Sequence, residues 1–228
     1  MATSIALLLL YLNIQLERYS RLIESENEII RTNSALTISL LQPKVVKESL
    51  ESIKIINKDD NILKTNKSLN IFEDYLIYNL QIFETTSLVN FKDVLQHIKN
   101  YVYLKQLVMN DRLVVNYNIA ISDFMLPSLI VQPLVDNAIR HGVDKKSRGG
   151  TIEITTKYDD DHIYIEIKDD GLGFYTDILK RSDVNTPGFD NVKNRLEINN
   201  IGTLNVKSYL SIGTTCEITL DKKKAQNY

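Results

Sequence analysis

The chain contains no tryptophan, one cysteine, four prolines and eight glycines in 228 residues. The single Cys216 excludes an internal disulfide and fits a reducing compartment. Neither sign of charge dominates. Lys and Arg number 27 against 29 Asp and Glu, a formal net charge of −2, so the electrostatic footprint of a nucleic-acid binder is missing. The apolar stretch IALLLLYL at 5–12 falls far short of the ~20 residues of a membrane span, and no basic n-region or cleavage site marks a signal peptide. Internal repeats and low-complexity segments are also missing.

What remains has the balance of a soluble globular protein, 43% apolar and 25% charged. The length suffices for one medium domain plus a helical appendage. All the glycines lie in the second half, which places the specialised backbone there.

The first half reads as helix. Ile5, Leu9, Leu12, Leu16, Tyr19 and Ile23 follow a 4-3 rhythm that Glu26 interrupts before Ile30. That seam implies a parallel two-helix coil; one amphipathic helix packed on its own chain, or a membrane-proximal helix, would show the same pattern. Residues 4–57 read as one long helix, bent where Pro43 removes an amide donor. NKDDN at 57–61 is a polar turn. Residues 62–84 read as a second helix with Leu69, Phe72, Leu76 and Leu80 at helical spacing, which completes a hairpin. Two hairpins from two chains would make a four-helix bundle. A third helix spans 89–110.

The period then changes from 3.6 to 2. RLVVNYNI at 112–119 reads as a strand, followed by a helix over 127–141 opened by Pro127. TIEITTKY and HIYIEIKD form a hairpin around 159–161. After a weakly patterned stretch at 174–187 comes a short helix with Val192 and Leu196, and then a second hairpin, TLNVKSYL and TTCEITL, around SIG. The fold class expected is α+β: a helical hairpin, then an α/β sandwich with helices on one face of a mixed or antiparallel sheet.

Within the helix at 127–141, QPLVDNAIRHG crowds Asp136, Asn137, Arg140 and His141 into the last turns before Gly142. Asn137 and His141 lie four apart, with Arg140 at the edge of that face, while Ile130, Leu134 and Ala138 can pack on a sheet. An Asn carbonyl suits Mg²⁺ already carrying phosphate oxygens, and Arg140 suits a phosphate. His141 and Gly142 read equally well as a C-terminal basic residue and a left-handed cap. Thirty-two residues after Asn137, DDGLG ends a strand. Its Asp169 is a carboxylate acceptor suited to the amino group of adenine, and Gly171 and Gly173 let backbone approach a ligand closely. Gly188 sits at a loop-to-helix junction where amides can meet phosphate, and GTT at 213–215 precedes a strand that can pair beside Asp169.

In that order, LIVQPLVDNAIRHGV, KDDGLGF, PGFDNVKNRL and SIGTTCEITL resemble the N, G1, G2 and GT elements of the GHKL (Bergerat-fold) ATP-binding domain. QPLVDNAIRHG is similar to the LytS/YehU type of sensor histidine kinase, with its pattern Q-P-L-V-E-N-A-I-x-H-G. KDVLQHIKNYVYLKQLVMNDRL resembles the helix that leads into that domain, and LLQPKVVKESLESI resembles its phosphoacceptor segment, N-P-H-F-L-F-N-T-L-N-S-I. The resemblance covers roughly residues 38–220.

It implies a site for ATP and Mg²⁺. Asn137 would coordinate Mg²⁺, and Asp169 would bind adenine in a slot shaped by Gly171, Gly173 and Thr214. Gly188, Asn191 and Arg195 would belong to a lid over the phosphates, with Arg140 and His141 at the pocket edge. It further implies 1–88 as dimerisation and phosphoacceptor helices and 89–228 as the ATP-binding domain, joined through 89–110. The implied setting is a cytoplasmic homodimer, with a membrane tether possible upstream of residue 1 and a response regulator of LytTR type as partner. The chain departs from the pattern in three places. Asp136 replaces Glu, Thr186-Pro187-Gly188-Phe189 replaces the lid's G-x-G-L, and Lys44 stands at the phosphoacceptor histidine with Val45, Val46, Lys47 and Glu48 after it. Lys44 and Glu48 read as a solvated i,i+4 pair, and His97 and His162 as structural, His97 on a helix surface and His162 at a strand start. Two functions are therefore expected: a histidine-kinase core inactive at Lys44, or a pseudokinase module that dimerises and signals by conformation. An ATP-hydrolysing machine of the same superfamily is disfavoured, since Pro133 occupies the place of its general base.

Overall fold

The structure, a computed structural model, describes residues 43–58, 61–82, 88–176 and 187–226. Apart from Pro43 these belong to one compact unit, Lys44–Tyr228. The heptad seam at 5–30 and the segment 177–186 lie outside the described residues, as do 59–60 within the polar turn.

Helix α1 spans Pro43–Lys58 and α2 spans Ile62–Ile82. A short strand β1, Leu88–Asn90, leads into α3, Phe91–Met109. Asn90 caps α3 by accepting a hydrogen bond from the Lys92 amide at 2.8 Å. Both helices of the expected hairpin appear over the described residues, but the buried face of α2 differs from the expected one. Phe72 and Tyr75 are buried with Thr65, Ser68 and Asn79, whereas Leu69 and Leu80 are exposed.

Strands β2 (Leu113–Ile119), β4 (Gly150–Tyr158), β5 (His162–Asp169), β6 (Gly202–Tyr209) and β7 (Gly213–Asp221) form one mixed sheet in the order β2-β4-β5-β7-β6. The pair β2–β4 is parallel and the other pairs are antiparallel. The alternation read from the sequence sets which residues face inward: Ile152 and Ile154, Ile163, Ile165 and Ile167, Ile218 and Leu220 are all buried. Helix α4 begins at Gln132, and α5 spans Pro187–Ile198. Their apolar sides, Leu134, Val135, Ala138 and Ile139 with Val192 and Leu196, share one core with the sheet and with α1 to α3. A five-residue α6, Lys222–Gln226, follows β7.

The helix expected at 127–141 differs at both ends. Met125–Pro127 is instead a strand, β3, paired antiparallel with β1. A turn with Leu129 in the left-handed region (φ 60°) separates it from α4. At the far end, α4 passes at Ala138 into a π-helical turn that runs to Val143, closed by the Asp144 amide on the Ile139 carbonyl at 2.8 Å.

Candidate functional site

The π turn lies over the ends of β4, β5 and β7. It carries Gly142 inside the turn with an ordinary backbone φ, so Gly142 is no left-handed cap. Glycine is needed here for space. A Cβ at 142 would stand 2.6 Å from Asp169 Oδ1 and 2.9 Å from its Cγ, and a Cβ at 171 would strike the Gly142 Cα. Asp169 closes β5, is 5% exposed, and accepts from the Gly171 amide at 2.8 Å. Burial pushes its carboxyl up to about 6, against the opposing backbone N–H groups of Gly171 and Thr214. Gly173 has φ 61° and runs against the Tyr209 carbonyl, while the Ser211 amide donates to the Leu172 carbonyl at 2.6 Å. The DGLG loop is thereby fastened to the β6–β7 turn. Thr214 pairs in register with Asp169 across β5–β7. On the other side of this slot, a Cβ at Gly188 in the first turn of α5 would stand 2.8 Å from Asn137 Nδ2.

An ionisable carboxylate is thus walled by glycine backbone, and a neutral amide stands against the opening turn of a helix. Residues 123–224, which hold all of these groups, match the family described as histidine kinase-, DNA gyrase B-, and HSP90-like ATPase. These residues are thus similar to that ATPase domain. Sequence likeness to other proteins reaches outside residues 123–224 as well. The chain is 31% identical over 176 residues to the YwpD protein of Bacillus subtilis (strain 168), covering 75% of this chain and 63% of YwpD. It is 32% identical over 112 residues to the sensor histidine kinase YpdA of Escherichia coli (strain K12), covering 49% of this chain and 20% of YpdA. The sensor protein LytS of Staphylococcus haemolyticus (strain JCSC1435) is 26% identical over 141 residues, 61% of this chain and 24% of LytS. The chain therefore spans 63% of YwpD and smaller parts of YpdA and LytS. The histidine kinase domain of the Erythrobacter litoralis EL346 blue-light activated histidine kinase shares the fold, with a TM-score of 0.50 at 12% identity over 81% of this chain and 98% of that domain. Among the described residues no helix is long and apolar enough to cross a membrane.

Within residues 123–224, Asp169, Gly171, Gly173 and Thr214 come together, and Asn137 meets Gly188. The remaining candidates are placed otherwise. Asp136 is buried and points to α3, where its carboxylate accepts the Tyr101 hydroxyl. Arg140 is bound to Asp136 at 3.2 Å. The i→i+5 bonding of the π turn removes position 141 from the stacking over 137 that an α-helix would give, and His141 is exposed. Asn191 is exposed as well. Arg195 is half-buried and reaches the Ser128 carbonyl at 3.4 Å, which ties α5 to the turn that opens α4. Lys44 pairs with Glu48 at 3.6 Å, but Glu48 also meets Lys105 of α3, 9% exposed, at 3.5 Å. Glu48 therefore bridges α1 to α3 and is not only half of a surface pair. His162 opens β5 as expected.

Two groups escaped the sequence reading. His97 is not on a helix surface: it is 2% exposed, lies between the rings of Tyr75 and Tyr78, and bonds Gln132 Oε1 at 3.2 Å. Gln132 and Asp136 on α4 thus answer His97 and Tyr101 on α3, both pairs at i,i+4 spacing. The matched spacings were the available signal, but nothing local says that the two helices meet. The second is Ser208, a serine in an alternating strand, with no motif around it.

Burial lowers the His97 pKa from 6.5 to about 4. The unfolded chain therefore takes a proton that the folded chain refuses, and stability is lost as pH falls from 6.5 toward 4. Between pH 7 and pH 5, His97→Phe is expected to lose about 2 kcal/mol less stability than the wild type, read from urea midpoints at the two pH values. Equal pH dependence in both proteins would place His97 in solvent.

Proposed function

We propose that the chain is the cytoplasmic core of a LytS-like sensor histidine kinase that binds Mg-ATP, with residues 89–228 as the nucleotide domain and 1–88 as the dimerisation and phosphoacceptor segment. The observation that carries the reading is the Asp169 carboxylate, held between the Gly142 and Gly171 backbones with Thr214 at its side. Such a slot offers fixed acceptors to an exocyclic amino group and leaves no room for a larger wall. Asn137 fits a Mg²⁺ that arrives on the phosphates. It supplies one neutral oxygen, and the described residues contain no group of three or more His, Cys, Asp or Glu able to hold a resident ion. Mg²⁺ commonly keeps waters and substrate phosphates as its other ligands. Gly188 beside Asn137, with Asn191 and Arg195 on the same helix, supports α5 as part of a lid.

Exposed Leu69, Ile77 and Leu80 on α2 with Leu50 on α1 support a homodimer through these helices. A membrane tether before residue 1 and a LytTR-type response regulator complete the proposal. Steady ATP hydrolysis is not expected, because Pro133 offers no base one turn from Asn137.

A second reading is favoured by Lys44, which is 79% exposed and held by Glu48. A lysine side chain offers no imidazole nitrogen to take up a phosphoryl group, so in this reading the chain signals as a pseudokinase, by conformation or by pairing with another kinase. The experiment combines both readings. Calorimetry with ATP, with and without Mg²⁺, is expected to give binding that weakens at least tenfold in Asn137→Ala only when Mg²⁺ is present. γ-Labelled ATP is expected to leave no label on the wild type or on Lys44→His, because Val45 is a core residue and Lys47 and Glu48 replace the usual turn. No binding at millimolar ATP would sink the first reading, and acid-labile label on Lys44→His would remove the second.

A further inference from the structure

Ser208 stands in register with Thr214, and Thr214 in register with Asp169, so the three form one row across β6, β7 and β5 on the sheet face that meets the helices. Ser208 is 6% exposed and Thr214 is half-buried. The Ser208 hydroxyl has three neighbours: the Phe174 amide at 2.9 Å, the Gly213 carbonyl at 3.2 Å and the Thr214 hydroxyl at 2.9 Å. A serine hydroxyl has one proton and two acceptor lone pairs. Phe174 N–H can only donate, and the Gly213 carbonyl can only accept. All three bonds form together only if Ser208 gives its proton to Gly213 and Thr214 gives its proton to Ser208.

We propose that Ser208 is a positioning residue for the purine: it takes the proton of Thr214 and so turns Thr214 into an acceptor toward the slot. This rests on the nucleotide reading above. With its proton committed to Ser208, Thr214 presents lone pairs on its open side, next to the Asp169 carboxylate. The end of the slot then shows two acceptors and no side-chain donor. A 6-amino purine meets both with its N–H groups, whereas a 6-oxo purine turns its own carbonyl lone pairs toward them. Sites that hydrogen-bond a substrate group reject analogues that leave buried polar groups unpaired. Without the Ser208 hydroxyl, Thr214 is free to rotate its proton into the slot and serve a carbonyl.

The test compares dissociation constants for ATP and ITP in the full chain by calorimetry. The wild type is expected to favour ATP strongly, and in Ser208→Ala the ITP/ATP ratio is expected to fall about fivefold to tenfold. Ser208→Cys, nearly the same size but a weak hydrogen-bonding group, is expected to follow Ser208→Ala and covers the case in which the alanine variant misfolds. Ser208→Thr, which keeps a hydroxyl, is expected to restore the ratio. A role in loop packing alone would weaken both nucleotides together and leave the ratio unchanged in Ser208→Ala and Ser208→Cys. That result overturns the proposal while leaving the nucleotide reading standing. A wild type that binds neither nucleotide overturns the nucleotide reading itself, and the proposal with it.

Discussion

Asp169→Asn is expected to weaken ATP binding by at least a hundredfold and, at the same time, to stabilise the protein without nucleotide. Both effects come from the same burial. The carboxyl is pushed up to about 6 because the folded state strips it of water. At pH 7 it is ionised in folded and unfolded chains alike, so the folded chain bears the cost. Because the folded pKa exceeds the unfolded value, the folded state takes up the proton first on acidification. The penalty therefore fades as pH falls from about 6 toward 3.8. This is opposite in sign to the contribution of His97. Asn removes the charge and keeps an oxygen for the Gly171 amide, which Asp169 now serves at 2.8 Å. The gain is on the order of 2 kcal/mol at pH 7, several degrees in Tm for a domain of this size. The loss of binding follows because the side-chain amide can offer a donor where the base requires an acceptor, and no ionised acceptor remains. Thermal melts with and without ATP read both quantities at once. A variant that is less stable and binds ATP as the wild type does would remove Asp169 from the slot.

Gly142→Ala is expected to weaken nucleotide binding at least tenfold although alanine is the better helix former by about 1 kcal/mol. The two effects oppose each other, and distance decides between them. The new methyl would lie 2.6 Å from Asp169 Oδ1, and neither partner can retreat without giving up its contacts. Asp169 is held by the Gly171 amide, and the Gly142 Cα already lies where a side chain at 171 would go. Overpacking of this kind costs about 1–3 kcal/mol, so the folded protein survives with a carboxylate turned out of its geometry. Titration with ATP should show at least a tenfold loss, with an unchanged circular dichroism spectrum. Wild-type affinity in Gly142→Ala would show that the slot between the π turn and Asp169 is not where the base sits. Gly202→Ala is no substitute control, because its Cβ would strike the Thr219 carbonyl far from this slot.

The five strands of the main sheet and its two hairpins were legible in the sequence because a period of two is local, whereas β1, β3 and the parallel β2–β4 pairing were not. Ile163, Ile165 and Ile167 face inward whichever neighbour they find. The hairpins around 159–161 and SIG followed from turn residues between two such runs. The pairing of Thr214 beside Asp169 followed as well, and so did the family resemblance, because Asn137, DGLG, Gly188 and GTT stand in a fixed order. Other features were not local. Asp136 and Arg140 shared a segment with Asn137 and suggested one polar face, but the burial of α3 against α4 drew Asp136 to Tyr101 and left Arg140 paired with it. His97 has a polar sequence neighbourhood, and only the arrival of Tyr75, Tyr78 and Gln132 from two other helices buries it. Gly142 looked like a cap because a glycine after a helix usually is one; its real constraint is the approach of residues 169 and 171. Ser208 carries no motif, and its three partners come from the loop after β5 and the neighbouring strand β7. The sequence by itself determined the period of each segment and the chemistry of the motif residues, since both depend on neighbours along the chain. The tertiary structure alone decided which polar groups are buried, which glycines are there for space and which hydroxyl holds which proton, because hydrogen bonding and steric exclusion act between atoms that only folding brings together.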